Sequence, residues 1–187
     1  MTVNAYTQVQ FLNDLRTITA ETKSQAEILD RVRPLARGLA LSKEWLGPRH
    51  RAADPARGST LYLLHEEPDH TLAVFVSARL PGRSTPPHNH GTWAVVVGVE
   101  GAEKNTYWRR VDDGSRPGYA ELAKVGEEVV GPGDVVSFLP DGIHSLVNET
   151  DPITISLHVY GKHLNYTGRS RFDPEKKTET PFVIEAK

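Results

Sequence analysis

His88 and His90 lie in the segment Gly82-Arg83-Ser84-Thr85-Pro86-Pro87-His88-Asn89-His90-Gly91. In extended chain, side chains two residues apart leave the same face, so this pair can present two imidazole nitrogens to one metal ion. A third imidazole, His144, follows about fifty residues later in the turn-forming stretch Pro140-Asp141-Gly142-Ile143-His144. The chain has no cysteine, so thiolate metal sites, disulfides and cysteine nucleophiles are all excluded. A metal would have to be held by imidazole and oxygen ligands.

The elements that must position these residues change character along the chain. Phe11, Leu12, Leu15 and Ile18 recur at helical spacing, and Ser24-x-x-Glu27 reads as a capping box opening a second helix with Ile28, Leu29, Val32, Leu35 and Leu39 on one face. Pro34 removes an amide donor within that pattern and predicts a kink or break near Arg33; Gly38 or Gly47-Pro48 ends the helical region. These helices are expected to pack on their own domain rather than on a partner. From Thr60 onward, short β-rich runs at residues 61–64, 72–78, 93–99, 106–111, 135–139 and 153–160 alternate with turn residues such as Pro81-Gly82, Asp113-Gly114 and Gly131-Pro132-Gly133-Asp134. The expectation is one all-β domain over residues 1–187: a helical segment at 1–50, a β-barrel at 60–165, and a tail at 166–187 whose charged stretch Asp173–Glu179 reads as a solvated connection.

Gly82, His88, His90 and Gly101, followed by Gly133, Pro140, Gly142, His144 and Asn148, resemble the two motifs of the cupin superfamily, which implies a double-stranded β-helix, or jelly-roll, barrel. Cupins commonly add a glutamate ligand between the second histidine and the closing glycine; Ala94 and Val95 stand there instead. With that departure, His88-Asn89-His90 through Gly101, Pro140 through His144, and Ser156-Leu157-His158-Val159-Tyr160 look like the cysteine dioxygenase family of thiol dioxygenases. The resemblance implies one Fe(II) held by His88, His90 and His144, with Ser156, His158 and Tyr160 as a catalytic array. The product would be a sulfinic acid made from a thiol and O2. No cysteine is available for a cross-link to Tyr160, and Val95 occupies about that position.

The array also has a physical reading of its own. Residues 156, 158 and 160 share one face of a strand while Ile155, Leu157 and Val159 share the other, so the polar row is either wet or inside a functional cavity. Facing inward, Ser156 would orient His158 and His158 would orient Tyr160.

For the substrate, the arginine of cysteine-specific members and the glutamine of many bacterial 3-mercaptopropionate dioxygenases would align with Leu61 or Tyr62. The second arginine of the latter group matches Arg169. Arg169 is therefore the expected carboxylate clamp, with Arg83 or Arg171 as candidates for a second carboxylate. The resemblance thus favours 3-mercaptopropionate or mercaptosuccinate over cysteine. His50 and His70 read as surface or turn residues, His65 as a structural histidine able to reach a cavity, and Trp93 and Trp108 as barrel packing, with Trp93 near enough to His90 to shape the pocket.

A net charge of −2 without a basic stripe disfavours nucleic acid and anionic membranes as partners. The stretch from Met1 to Tyr6 carries no basic region leading into an apolar run, so a cytoplasmic location is expected. Competing functions are a zinc, nickel or manganese cupin isomerase or lyase, disfavoured by the missing carboxylate ligand, and a metal-dependent sensor cupin. Oligomeric state is not legible.

Overall fold

A computed structural model describes residues 6–187. Two helices come first, α1 (Gln8–Glu21) and α2 (Gln25–Ser42). A full capping box, Thr7 with Gln10, opens α1, and Ser24 accepts from the Glu27 amide to open α2. Only that half of the expected second box forms, because the Glu27 carboxylate turns to the Thr22 hydroxyl. α2 runs unbroken through Pro34 and Gly38, so neither a break near Arg33 nor an end at Gly38 occurs, and it stops before Gly47-Pro48, where Lys43 takes a left-handed conformation. Pro34 sits on the exposed face, where water can serve the carbonyl that loses its partner, and Ile28, Leu29, Val32, Ala36, Leu39 and Ala40 bury the other face on both sides of it.

Eleven strands follow: β1 (Ser59–Glu66), β2 (Thr71–Arg79), β3 (Ser84–His88), β4 (Ala94–Glu100), β5 (Glu103–Arg110), β6 (Leu122–Val130), β7 (Val135–Phe138), β8 (Ile143–Val147), β9 (Thr154–Lys162), β10 (Ser170–Asp173) and β11 (Thr178–Pro181). They form two antiparallel sheets ordered β1-β2-β9-β4-β7 and β11-β10-β3-β8-β5-β6. Within these, β2-β9-β4-β7 faces β3-β8-β5-β6, the strand order of a jelly roll, so the double-stranded β-helix is present. β3, β6 and β8 escaped the sequence reading. Pro86-Pro87 disguises β3, and the exposed, charged run of β6 has no apolar alternation.

The first sheet separates two apolar cores. Its outer face, including Val74, Val76, Val95, Val97, Ile155, Leu157 and Val159, packs under the two helices. Its inner face, including Ala73, Phe75, Ala94, Val96 and Tyr160, looks into the barrel. Each fully buried Leu, Val or Phe in such a core contributes about 1.5–3 kcal/mol of transfer free energy. The helices therefore act as a cap that lets β2, β9 and β4 bury both faces, which explains their nearly continuous apolar sequence.

The tail departs most from expectation. Residues 170–181 are a hairpin, β10–β11, added to the edge of β3, and only the turn at Pro174–Lys177 between its strands is the charged connection that the sequence suggested. Beyond it, Ala186 bridges Leu61 of β1, at the edge of the other sheet. No helix of the described residues is long and apolar enough to cross a membrane.

Candidate metal centre

His88 ends β3, His90 follows in the next loop, and His144 lies on β8 directly opposite His88 in the β3–β8 ladder. The ladder is disturbed between Thr85 and His88, where Pro86 and Pro87 offer no amide donors. The free Pro86 carbonyl then accepts from His88 Nδ1–H at 2.8 Å, which leaves Nε2 as a lone-pair donor. His144 Nδ1–H donates to Asn105 Oδ1 at 2.9 Å, again freeing Nε2. Nitrogens of the three rings lie within 4.8 Å of one another, and all three residues are buried.

His144 Nε2 and His90 Nδ1 are buried with no hydrogen-bond partner. Buried imidazole nitrogens without a protein partner normally cost stability, and a shared metal ion can relieve that cost. The donor set therefore fits a metal held by three neutral imidazoles. Burial holds the pKa of His88 and His90 well below the usual value, with the neighbouring His144 adding to the effect. His144 is pushed down to about 3, chiefly by burial. All three rings are thus neutral at pH 7, the form that binds a metal.

Ala94 is the position that faces the barrel interior, where it pairs across the sheet with Tyr160; Val95 points to the helices. The residue beside Tyr160 is therefore Ala94, not Val95, the position that the family resemblance pointed to. Alanine supplies neither a fourth ligand nor a cross-link. The one carboxylate buried among the described residues, Glu103, is already held by Arg79 at 3.1 Å and by the Thr154 hydroxyl at 2.7 Å.

Ser156, His158 and Tyr160 line the inner face of β9 as a continuous hydrogen-bonded chain: Ser156 Oγ to His158 Nε2, 2.8 Å, and His158 Nδ1 to Tyr160 Oη, 2.8 Å. Burial lowers the His158 pKa to about 3, so the ring is neutral and carries one proton. When Ser156 donates to Nε2, that proton sits on Nδ1 and goes to Tyr160, whose own hydroxyl hydrogen is free to point elsewhere. The Tyr160 ring centroid is 5.3 Å from that of His90, which places the phenol beside the histidine cluster. Its pKa is raised to about 12 by burial, against the opposing pull of Arg169, so it is a donor at neutral pH.

Arg169 is 4% exposed, has no carboxylate partner, and its Nε finds no acceptor. Burial lowers its pKa to about 10, so it remains a cation. It is brought to the site by the loop from Leu164 to Gly168. Asn89, between the two metal-site histidines, exchanges hydrogen bonds with Ser170, accepting from its amide at 2.8 Å and donating to its carbonyl at 3.1 Å. Gly91 has φ +64°, and a Cβ there would lie 2.8 Å from the Thr167 carbonyl oxygen. Glycine thus permits the histidine loop and the arginine loop to touch.

Leu61 and Leu63 turn toward the interior core while Tyr62 points to the helices and donates to the Ala52 carbonyl at 2.7 Å. The inward position on β1 is therefore apolar. Arg83 and Arg171 are exposed on the outside, unlike buried Arg169. His50 is buried, contrary to expectation, because its ring accepts from the Gly47 amide at 3.1 Å and closes the turn after α2. His70 stacks on Tyr166 with ring centroids 3.6 Å apart, and His65 bonds Glu67 at 2.9 Å. Buried His163 accepts from the Asn165 amide at 3.2 Å. Trp93 belongs to the outer core under the helices and does not shape the site, whereas Trp108 packs beside Ile143 and donates to Ser145 at 2.9 Å.

Asn105, Asn89 and Phe182 were missed by sequence reasoning. Only Asn89 had a visible signal, its place between two histidines. Replacing Asn105 with leucine should leave the fold intact and weaken metal binding about 10–100-fold, because His144 loses the acceptor that sets its tautomer. Metal titration of the apo protein measures this.

The buried histidines also predict an acid response. An unfolded histidine binds its proton near 6.5, while His144 and His158 do so only near 3 in the fold. Between those values the unfolded chain binds more protons, so the stability of the metal-free protein falls as pH drops from 6.5 toward 3. At pH 5 the loss is at most about 2 kcal/mol for each of the two. Urea midpoints at pH 7 and pH 5 measure it; equal midpoints would show that these rings are not buried neutral.

The sequence matches no protein-family model. The chain is similar in structure to oxalate oxidase in complex with the substrate analogue glycolate (17% identity, TM-score 0.48, covering 63% of this chain) and spans 58% of that enzyme's length. It is also similar to an uncharacterized conserved protein with a double-stranded β-helix domain from Klebsiella pneumoniae (13% identity, TM-score 0.49, 67% of this chain and 88% of that one). A cupin superfamily protein from Desulfitobacterium hafniense aligns at 13% identity with TM-score 0.41 over 56% of this chain and 78% of that one. The fold is a double-stranded β-helix, or jelly roll, an assignment that rests on the strand order itself.

Proposed function

We propose that this protein is an Fe(II)-dependent thiol dioxygenase that converts a small thiol monocarboxylic acid, of the 3-mercaptopropionate type, into its sulfinic acid. One observation carries the reading: a buried cation with no carboxylate partner, Arg169, adjoins a cluster of three neutral histidines and a tyrosine held by a Ser-His relay. His88, His90 and His144 would hold the iron. Three uncharged ligands leave the ion its full charge, so when bound it supplies thiolate formation at neutral pH and activation of O2.

The chain's own residues do the rest. Arg169 presents a planar fork to the substrate carboxylate and supplies the counter-charge that the site otherwise lacks. Tyr160, un-ionised at neutral pH and held by His158, donates its proton toward the reacting atoms. Leu61, Phe138 and the barrel core exclude water. Because Arg83 and Arg171 lie outside, one buried cation favours a monocarboxylate over mercaptosuccinate. No free carboxylate stands ready for the ammonium group of cysteine, since Glu103 is already paired with Arg79.

The test is O2 uptake by the iron-loaded protein with 3-mercaptopropionate, mercaptosuccinate and cysteine in parallel, with product analysis. Iron-dependent uptake with one sulfinate per O2, fastest with 3-mercaptopropionate, is expected. Absence of turnover with every thiol sinks the proposal.

A further inference from the structure

The last residues of the chain cross the barrel from one sheet to the other. The Phe182 amide donates to the Arg169 carbonyl at 3.0 Å at the β10 side. Ile184 exchanges two hydrogen bonds with the Asn165 side chain, at 2.8 and 3.0 Å. Lys187 pairs with Leu61 and Leu63 of β1 at 2.9 and 3.0 Å. Along this strap the side chains alternate: Val183 is 71% exposed, while Phe182 and Ile184 are part-buried and Ile184 packs on the inner core.

Phe182 thereby meets both halves of the site. The Arg169 guanidinium carbon lies 4.1 Å from the centre of its ring, and the same ring stands edge-on to His88 with centroids 5.4 Å apart. Among the described residues, the Phe182 ring is the aromatic face on which this buried cation stacks, while its Nε has no acceptor. Stacking uses the flat face of the guanidinium and leaves its edge of N–H donors for a planar anion. The ring lies against both the arginine and a metal-site histidine, so its bulk takes up space that a longer or branched acid bound to both would need.

We propose that Phe182 is a positioning and specificity-determining residue: it fixes the plane in which Arg169 receives a carboxylate and sets the distance allowed between carboxylate and thiol. This rests on the reading of Arg169 as the carboxylate clamp. It also gives the C-terminal segment a role in selecting the ligand, where a tail that only covered the barrel would select nothing.

Propionate, which has the carboxylate but no thiol, is titrated calorimetrically into the metal-loaded wild type, Phe182→Leu and Phe182→Tyr. Loss of the aromatic face should weaken propionate binding about tenfold in Phe182→Leu, and Phe182→Tyr should restore it. In steady-state assays Phe182→Leu should raise KM for 3-mercaptopropionate by a similar factor with kcat within about twofold, and should narrow the preference for it over 4-mercaptobutyrate. A merely structural role would change metal content and kcat instead. If wild type and Phe182→Leu bind propionate equally, the inference about Phe182 is wrong while the clamp stands. If wild type binds no carboxylate, the clamp and the inference both fail.

Discussion

Arg169→Met should make the protein more stable and, at the same time, nearly unable to bind its substrate. The guanidinium is buried without an anion, and burial lowers its pKa to about 10, which corresponds to about 3 kcal/mol of unfavourable burial at neutral pH. Methionine keeps much of the stem and removes the charge. Part of the gain is offset by the lost stacking on Phe182, about 1–2 kcal/mol. The net is a rise of about 1–2 kcal/mol, or about 3–6 °C in Tm for a chain of this size. Against this, two charge-assisted hydrogen bonds to a carboxylate contribute about 3–4 kcal/mol, so KM for the thiol acid should rise on the order of a hundredfold or more with metal content unchanged. Thermal denaturation, iron analysis and steady-state kinetics on one preparation test both signs. A fall in Tm with unchanged KM would mean that Arg169 is a structural residue whose partner is the protein itself.

His144→Ala is expected to abolish useful metal binding while leaving the jelly roll folded. His144 faces His88 across the β3–β8 ladder, so its removal leaves the two nitrogens of one loop, without the ligand from the second strand that encloses the ion. Losing one of three imidazoles should cost on the order of 3 kcal/mol of binding free energy, a hundredfold or more in affinity, and more than Asn105→Leu costs. The apo fold should lose a small cavity term together with the hydrogen bond that buried Asn105 accepts from His144, about 1–3 kcal/mol, which leaves the jelly roll folded. Metal titration and circular dichroism of the variant separate the two effects. Unchanged metal affinity would move the ion elsewhere and remove the basis of the proposed chemistry.

The same side chains show how far a sequence can be read. Period-two alternation places Ser156, His158 and Tyr160 on one face of β9 and Ile155, Leu157 and Val159 on the other, and this holds in the fold because side-chain direction in a strand is a local property. The helices were legible for the same reason, although Pro34 misled: a proline breaks a helix only when the surroundings cannot accommodate the lost bond. β3 and β6 were missed because ladder pairing, not alternation, makes them strands. The tail was misread because the hairpin of residues 170–181 is charged, and its place is set by the edge of β3, over eighty residues earlier.

By itself, the sequence determined that any metal must be held without thiolate, that no acidic residue stands near residue 94 to serve as a fourth ligand, that Ser156, His158 and Tyr160 share one strand face, and that residues 60–165 are β-rich; that this face looks inward was decided by the fold. Tertiary structure alone decided that Ala94 rather than Val95 meets Tyr160, that Leu61 rather than Tyr62 looks inward, and that Arg83 and Arg171 stay outside. It also decided that Asn105 stands behind His144 and that Phe182 lies over Arg169. The physical reason is that alternation follows from bond geometry within a few residues, whereas cross-strand register, sheet closure and the dryness of a site arise from contacts between segments far apart in the chain. Whether a buried arginine has a counter-charge can be known only after every other residue has taken its place.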